Sequence, residues 1–344
     1  MTPVPARVHL CGSVPLADAE TVFRTSAARL GAHLARIPDG ETGERGNWVV
    51  WQLPKLQAHA ELETVPPPSP EYGPSLRVQP RAGVDPASVT FGPLGYAEAA
   101  IASWQVFSRL RDEGVIPAGT RFQVSLPTPI AVVAAFVGDH QDELERAYEA
   151  RLTTELEEIN AAIPAADLAV RWDTAVEFAV FEGVFPSWFG DGLDTQHRAV
   201  VERLVRLGNA FPAGVELGYH LCYGDFGHQH FVEPADTAKL AAVAADIAAG
   251  LEKPVTWIHL PVPRRRDDVE YFTALGAMNL PAETTLYLGL VHATDGVDGA
   301  TKRIAAARQV VPSFGIATEC GMGRRPAEQI PELMDLHATL AATL

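Results

Sequence analysis

Short apolar runs of strand type alternate along this chain with longer segments whose apolar positions recur at helical spacing. The strand-type runs fall at residues 7–11, 33–37, 122–126, 168–172, 215–222, 255–260, 285–291 and 314–318. Helical patterns fall at 17–30, 95–113, 142–162, 195–208, 236–250, 267–275, 299–309 and 327–340. Several strand runs are apolar at successive positions, not alternating, which marks strands covered on both faces in a parallel sheet. Eight strands with intervening helices predict an α/β fold closed as a (β/α)8 TIM barrel, with an open doubly wound sheet as the alternative. The Pro- and Gly-rich stretch 62–93 follows the second strand and predicts an inserted excursion with room for a hairpin.

Composition narrows the class. The 344 residues are 47% hydrophobic and 20% charged, which is ordinary for a globular chain with a large core, and residues 1–344 read as one barrel domain. The net charge of -16 opposes a nucleic-acid partner, because phosphate backbones are bound by basic faces. No uncharged apolar run of about 18 residues predicts a membrane span. Residues 1–7 lack the basic start and apolar stretch of a secretory leader. Three cysteines far apart fit a reducing compartment better than a disulfide framework, so the expected location is cytoplasmic.

Two of those cysteines carry the strongest chemical signal. His220 and Cys222 are spaced i, i+2 on the fifth predicted strand, so imidazole and thiol share a face. Cys320 closes the eighth. Active sites of such barrels form at the C-terminal ends of the strands, where His259 and His292 also fall. Zinc takes three or four thiolate and imidazole donors. His220, Cys222 and Cys320 are therefore candidate ligands, with His259 or His292 as a fourth. Cys11 reads as a small buried apolar residue.

Other features are less specific. The loop 36–45 crowds Asp39, Glu41, Glu44 and Arg45 with glycines at a strand end, as a substrate-contacting loop or a capped turn would. Trp48 and Trp51 could stack on a flat donor or simply pack. Arg324 and Arg325 precede a predicted helix start, where anions are favoured, and point to a carboxylate or phosphate on the substrate. Arg264, Arg265 and Arg266 read equally well as surface ion pairs. His228 and His230 form an exposed pair beyond the His-x-Cys motif. No nucleophile elbow, phosphate-binding loop or His-Glu-x-x-His motif is present.

With these residues in place, the chain resembles the catalytic barrel of the cobalamin-independent methionine synthases, within the wider superfamily that includes uroporphyrinogen decarboxylases. His220-Leu-Cys222 resembles that family's His-x-Cys metal motif, and Cys320-Gly321 its last metal cysteine. Gly12-Ser13-Val14-Pro15 resembles its Gly-Ser-Phe-Pro turn. Asp173 resembles its strand-end Asp that contacts the substrate amino group, and His292 its strand-seven acid. The resemblance implies Ser13, Asp173 and Glu177 as substrate contacts and His292 as the proton donor. Two departures stand out: His259 occupies the place of the family's third ligand, a Glu, and its Asp-Glu-Pro turn becomes Asp173-Thr174-Ala175.

The resulting expectation is a zinc-dependent enzyme that transfers a methyl or alkyl group to a small thiol. The metal is expected on His220, Cys222, His259 and Cys320, and the substrate on Ser13, Asp173, Glu177 and Arg324. The donor is a folate, a corrinoid protein or a small methylated metabolite. The alternatives are a zinc-dependent lyase or hydrolase, and a metal-free decarboxylase-like barrel.

Overall fold

A computed structural model describes residues 7–66, 76–224 and 229–344. Seven strands, β1 (Arg36–Pro38), β4 (Arg121–Pro127), β5 (Leu168–Thr174), β6 (Glu216–Leu221), β7 (Trp257–Pro261), β8 (Thr285–Val291) and β9 (Gly315–Thr318), pair in that order, all parallel, in one curled sheet. Every predicted strand from the second onward has its counterpart here. The predicted first run is reduced to a single position. Val8 forms parallel bridges to Leu34, just before β1, and to Ile316 in β9, at the two edges of the sheet.

Within the excursion, β2 (Leu62–Val65) and β3 (Arg77–Pro80) form a separate antiparallel pair. Pro67 and Pro68 lie outside the described residues.

Helices α1 (Ala19–Leu30), α3 (Tyr96–Asp112), α5 (Gln141–Ala162), α7 (Leu193–Asn209), α8 (Ala238–Gly250), α10 (Gly296–Arg308) and α11 (Ile330–Ala341) cover the outside. Their apolar stripes, such as Val22, Phe23, Ala27 and Leu30 of α1, are buried while the opposite face carries charge. Asp18 caps α1 by accepting the Thr21 N–H at 2.8 Å. The start of α3 has no local cap. Instead the buried Glu155 of α5 accepts the N–H groups of Leu94 at 2.6 Å, Gly95 at 3.1 Å and Ala97 at 2.7 Å. A carboxylate supplied from another helix thus satisfies donors that helix geometry leaves unpaired.

Alternation along the strands sorts side chains between two faces. In β5, Leu168, Val170 and Trp172 join the outer core, whereas Ala169 clusters apart from it with Trp257 and Tyr287. The inner face is therefore a separate compartment, and Arg171, Asp173, His220, Cys222 and His259 fall on it by i, i+2 spacing. Asp173 pairs in register with His220, and His220 with His259.

Candidate metal centre and adjoining buried charges

Cys222 continues the ladder one residue past β6, its N–H donating to Thr174 O at 3.0 Å. Cys320 arrives from the other direction, two residues past β9. The loop that carries it is pinned by Ser13, whose carbonyl accepts Met322 N–H at 2.7 Å and whose Oγ accepts Gly323 N–H at 3.2 Å. A side chain at Gly321 would overlap Ser13 Oγ, so glycine is needed there for the close approach.

These elements bring three donors together. Cys222 Sγ lies 3.7 Å from Cys320 Sγ, and Cys320 Sγ lies 3.5 Å from His220 Nε2. Two thiolates on tetrahedral zinc stand about 3.8 Å apart, and a thiolate and an imidazole nitrogen about 3.6 Å, given the usual bond lengths. The residues present fit a zinc ion.

His259 lies deeper. Its Nδ1 is 2.6 Å from His220 Nδ1 and its Nε2 is 3.0 Å from Thr318 O. Two imidazole nitrogens on one tetrahedral zinc would be about 3.3 Å apart, so 2.6 Å is a hydrogen-bond distance. A carbonyl only accepts, which puts the proton of His259 on Nε2 and leaves Nδ1 to accept from His220 Nδ1–H. His220 Nε2 is then bare and faces Cys320. Burial, then the Arg171 charge, pushes His259 down to about 3. Burial, then His259, holds His220 well below the ordinary imidazole range. Cys11 Sγ sits 3.6 Å from His259 Nε2, so Cys11, His220 and His259 make a second close group that shares His220.

His292 follows β8. Its Nε2 donates to Val262 O at 2.9 Å, and its Nδ1 faces Glu319 Oε2 at 3.4 Å. Arg325 donates to the other oxygen of Glu319 at 2.9 Å. Burial lowers the His292 pKa, with Glu319 opposing. Arg324 is half-buried in the same loop.

Asp173 does not stand alone. Arg171 Nε and Nη2 fork its two oxygens at 2.6 and 2.9 Å, both residues being buried. Burial nonetheless raises the Asp173 pKa against that pull. Glu41 reaches the same region from the loop after β1, in a left-handed conformation with φ 49°, which is uncommon for a non-glycine residue. Burial, then repulsion by Asp173, pushes its carboxyl up to about 8. Glu177 makes its contacts within the protein. It is fully buried in α6 (Val176–Phe181), where it accepts from Thr128 Oγ1 and, at 2.9 Å, from Ala175 N–H.

Other residues singled out in the sequence make contacts within the protein. Trp51 stacks edge-on with Tyr96 at 4.9 Å, and Trp48 packs on the main core. Arg266 pairs with Asp268 at 2.8 Å on the surface. His230 faces Glu233 at 3.5 Å, while His228 lies outside the described residues. Sequence reasoning passed over Arg171 and Glu319 and left Glu41 undivided within its loop. A charged residue inside the otherwise apolar run 168–172 was the available signal for Arg171, because an arginine is rarely buried without a partner.

No family model matches the chain, and no curated protein matches it by sequence. Solved structures do resemble it. A candidate vitamin-B12-independent methionine synthase from Listeria monocytogenes superposes with a TM-score of 0.61 at 13% identity, over 100% of this chain and 99% of that one. A B12-independent methionine synthase from Shewanella sp. W3-18-1, solved with selenomethionine, gives 0.58 at 14% identity over 99% and 98%. A methyltransferase from Methanosarcina mazei gives 0.53 at 13% over 99% and 95%. The chain shares its fold with these proteins, which include members of the family its motifs resemble.

Proposed function

We propose that this protein is a zinc-dependent enzyme that transfers a methyl group to a small thiol, on a (β/α)8 barrel in which the segment at Val8 completes the ring. The observation that carries this reading is the spacing of Cys320 Sγ from Cys222 Sγ and from His220 Nε2, which matches two edges of a tetrahedral zinc site. Likeness of fold to methionine synthases and a methyltransferase supports it.

His220, Cys222 and Cys320 would hold the metal, and three protein donors leave one tetrahedral position for a substrate. Bound zinc supplies one thing, a lowered thiol pKa that keeps the substrate a thiolate at neutral pH. His259 fixes the His220 tautomer through Nδ1 and so acts by positioning a ligand, not by being one. Cys11 packs behind it. Ser13 holds the loop of Cys320 in register.

His292 handles the proton. Its Nε2 is committed to Val262 O, so Nδ1 is the nitrogen that exchanges a proton with the leaving atom of the donor, and Glu319 stabilises the protonated ring. Asp173 orients Arg171 in the substrate pocket, and Glu177 holds the turn after β5 in place. Arg324 contacts an anionic group of the methyl donor, a folate or a corrinoid protein. The net charge of -16 agrees with partners other than nucleic acid. Among the described residues no helix is long and apolar enough to cross a membrane.

The test is a screen of methyl donors against small thiols with the zinc-loaded protein, read by mass of the S-methyl product. Turnover that disappears in Cys222→Ser while the fold is retained supports the reading. Turnover unaffected by that substitution and by a zinc chelator overturns it.

A further inference from the structure

Strands β8 and β9 do not keep step. Leu288 pairs with Ile316 and Val291 with Thr318, so three steps along β8 answer two along β9. The extra residue makes a β-bulge, a device that re-aims side chains beside functional sites. Gly289 lies within it. A Cβ there would stand 2.7 Å from Glu319 Cα, 3.0 Å from Thr318 O and 3.1 Å from Glu319 N. Those are backbone atoms that cannot swing aside, so glycine is what lets the end of β9 approach. With the strands in step, residue 290 would face Thr318. The bulge puts Val291 there and His292 next, beside Glu319, which its Nδ1 faces at 3.4 Å.

Thr318, at the end of this pair, is 1% exposed, and both of its polar groups are used. Its hydroxyl donates to Cys320 O at 2.6 Å. Its carbonyl accepts from His259 Nε2 at 3.0 Å and from the Cys11 thiol at 3.7 Å. Two residues earlier, Ile316 O serves the ladder, taking His9 N–H at 2.9 Å.

Thr318 therefore reaches both halves of the candidate centre. Through its hydroxyl it holds the backbone of Cys320, upstream of the points where Ser13 pins Met322 and Gly323. Through its carbonyl it holds the His259 ring, whose Nδ1 is 2.6 Å from His220 Nδ1. Any residue could supply the carbonyl. The hydroxyl needs Thr or Ser, because valine has the same shape and no donor.

We propose that Thr318 is a positioning residue of the metal centre. Its hydroxyl sets the Cys320 thiol and its carbonyl sets the His220 nitrogen, and the bulge at Gly289 seats it to do both. The inference rests on the zinc reading above and adds to it a residue that touches neither metal nor substrate.

Competitive zinc titration and the spectrum of the cobalt-substituted full-length protein test this in the wild type, Thr318→Val, Thr318→Ser and Gly289→Ala. Thr318→Val should bind zinc about tenfold more weakly, as for other partners that orient metal ligands, and should lose intensity in the sulfur-to-cobalt charge-transfer band. Thr318→Ser should restore both. Gly289→Ala should lose more than Thr318→Val, and if it does not fold, the valine and serine variants decide. A role confined to stability would lower the urea midpoint of the metal-free valine variant while leaving its zinc affinity and cobalt spectrum as in the wild type, and that result overturns the proposal. A loss that Thr318→Ser does not restore overturns it as well. A folded Gly289→Ala with wild-type affinity removes the bulge from it. If the wild type binds no zinc, the zinc reading falls and this role with it. If zinc binds and Thr318→Val weakens it while no donor–thiol pair turns over, this role stands and the transfer reading fails.

Discussion

Replacing His259 by Ala removes an imidazole that touches His220, Thr318 and Cys11 but leaves all three proposed zinc donors in place. The lost contacts are the 2.6 Å bond to His220 Nδ1, the 3.0 Å bond to Thr318 O and the 3.6 Å contact with Cys11 Sγ. For His259 to be a ligand on the same ion, the two Nδ1 atoms would have to separate to about 3.3 Å, breaking the bond that sets the His220 tautomer. On the proposed reading His259 supports a ligand, and loss of such a partner typically weakens metal binding about 10–100-fold, or about 1.4–2.7 kcal/mol. A competitive titration of zinc against a chromophoric chelator measures this directly for the wild type, His259→Ala, His259→Gln and Cys222→Ser. His259→Ala should still bind one zinc with affinity reduced by that range, and Cys222→Ser should lose more. His259→Gln, whose carbonyl can accept from His220, should recover part of the loss. A loss in His259→Ala as large as in Cys222→Ser would make His259 a ligand, and no loss at all would remove the coupling. Either result refutes the reasoning.

Three further outcomes follow from the buried charges. Asp173→Asn leaves the Arg171 guanidinium buried without its counter-charge and should cost about 3–5 kcal/mol in urea unfolding, whereas a change below about 1 kcal/mol would show the pair to be solvated. The carboxyl of Glu177 is raised to about 7 from an ordinary 4.5 by burial. Between those values the folded state holds a proton the unfolded state has lost, so stability should fall by about 3 kcal/mol as pH rises from about 4.5 to about 7. Comparing wild type with Glu177→Gln by denaturation across that range should show the slope only in the wild type, and parallel curves would contradict it. Glu155→Ala strips three backbone donors at the start of α3 of their acceptor and should cost about 2–4 kcal/mol, with amide exchange rising first at Leu94, Gly95 and Ala97.

Much of the sheet was legible because strands buried on both faces spell continuous apolar runs. The helices that periodicity missed fail for a physical reason. Helix α4 (Pro129–Phe136) is apolar nearly throughout and buried on all sides, so it has no polar face to reveal a 3.6-residue repeat. Its Thr128 cap and Pro129 at the first turn were the readable signals. Helix α6 spells Val-Glu-Phe-Ala-Val-Phe, a strand-like composition overridden by packing. The first strand shrank to Val8 because residues 7–11 are shared between a bridge and the turn at Gly12. At the site, the i, i+2 rule was enough to join His220 to Cys222, and strand order was enough to bring Cys320 to them. It could not decide between ligand and supporting residue for His259, since that depends on 0.7 Å or so of side-chain placement. A side chain at Gly12 would overlap Glu41 Oε1 and come within 3.0 Å of Arg171 Nη2, a relation among distant positions that no local pattern records.

His220, Cys222 and Cys320 are proposed to hold one zinc ion. Zinc-edge X-ray absorption on protein purified without added metal tests it most directly. The account predicts about one zinc per chain, with two sulfur scatterers near 2.3 Å and the rest nitrogen or oxygen at about 2.0–2.1 Å, and one sulfur lost in Cys320→Ser. A metal-free protein, or zinc in an all-oxygen and nitrogen shell, would contradict it.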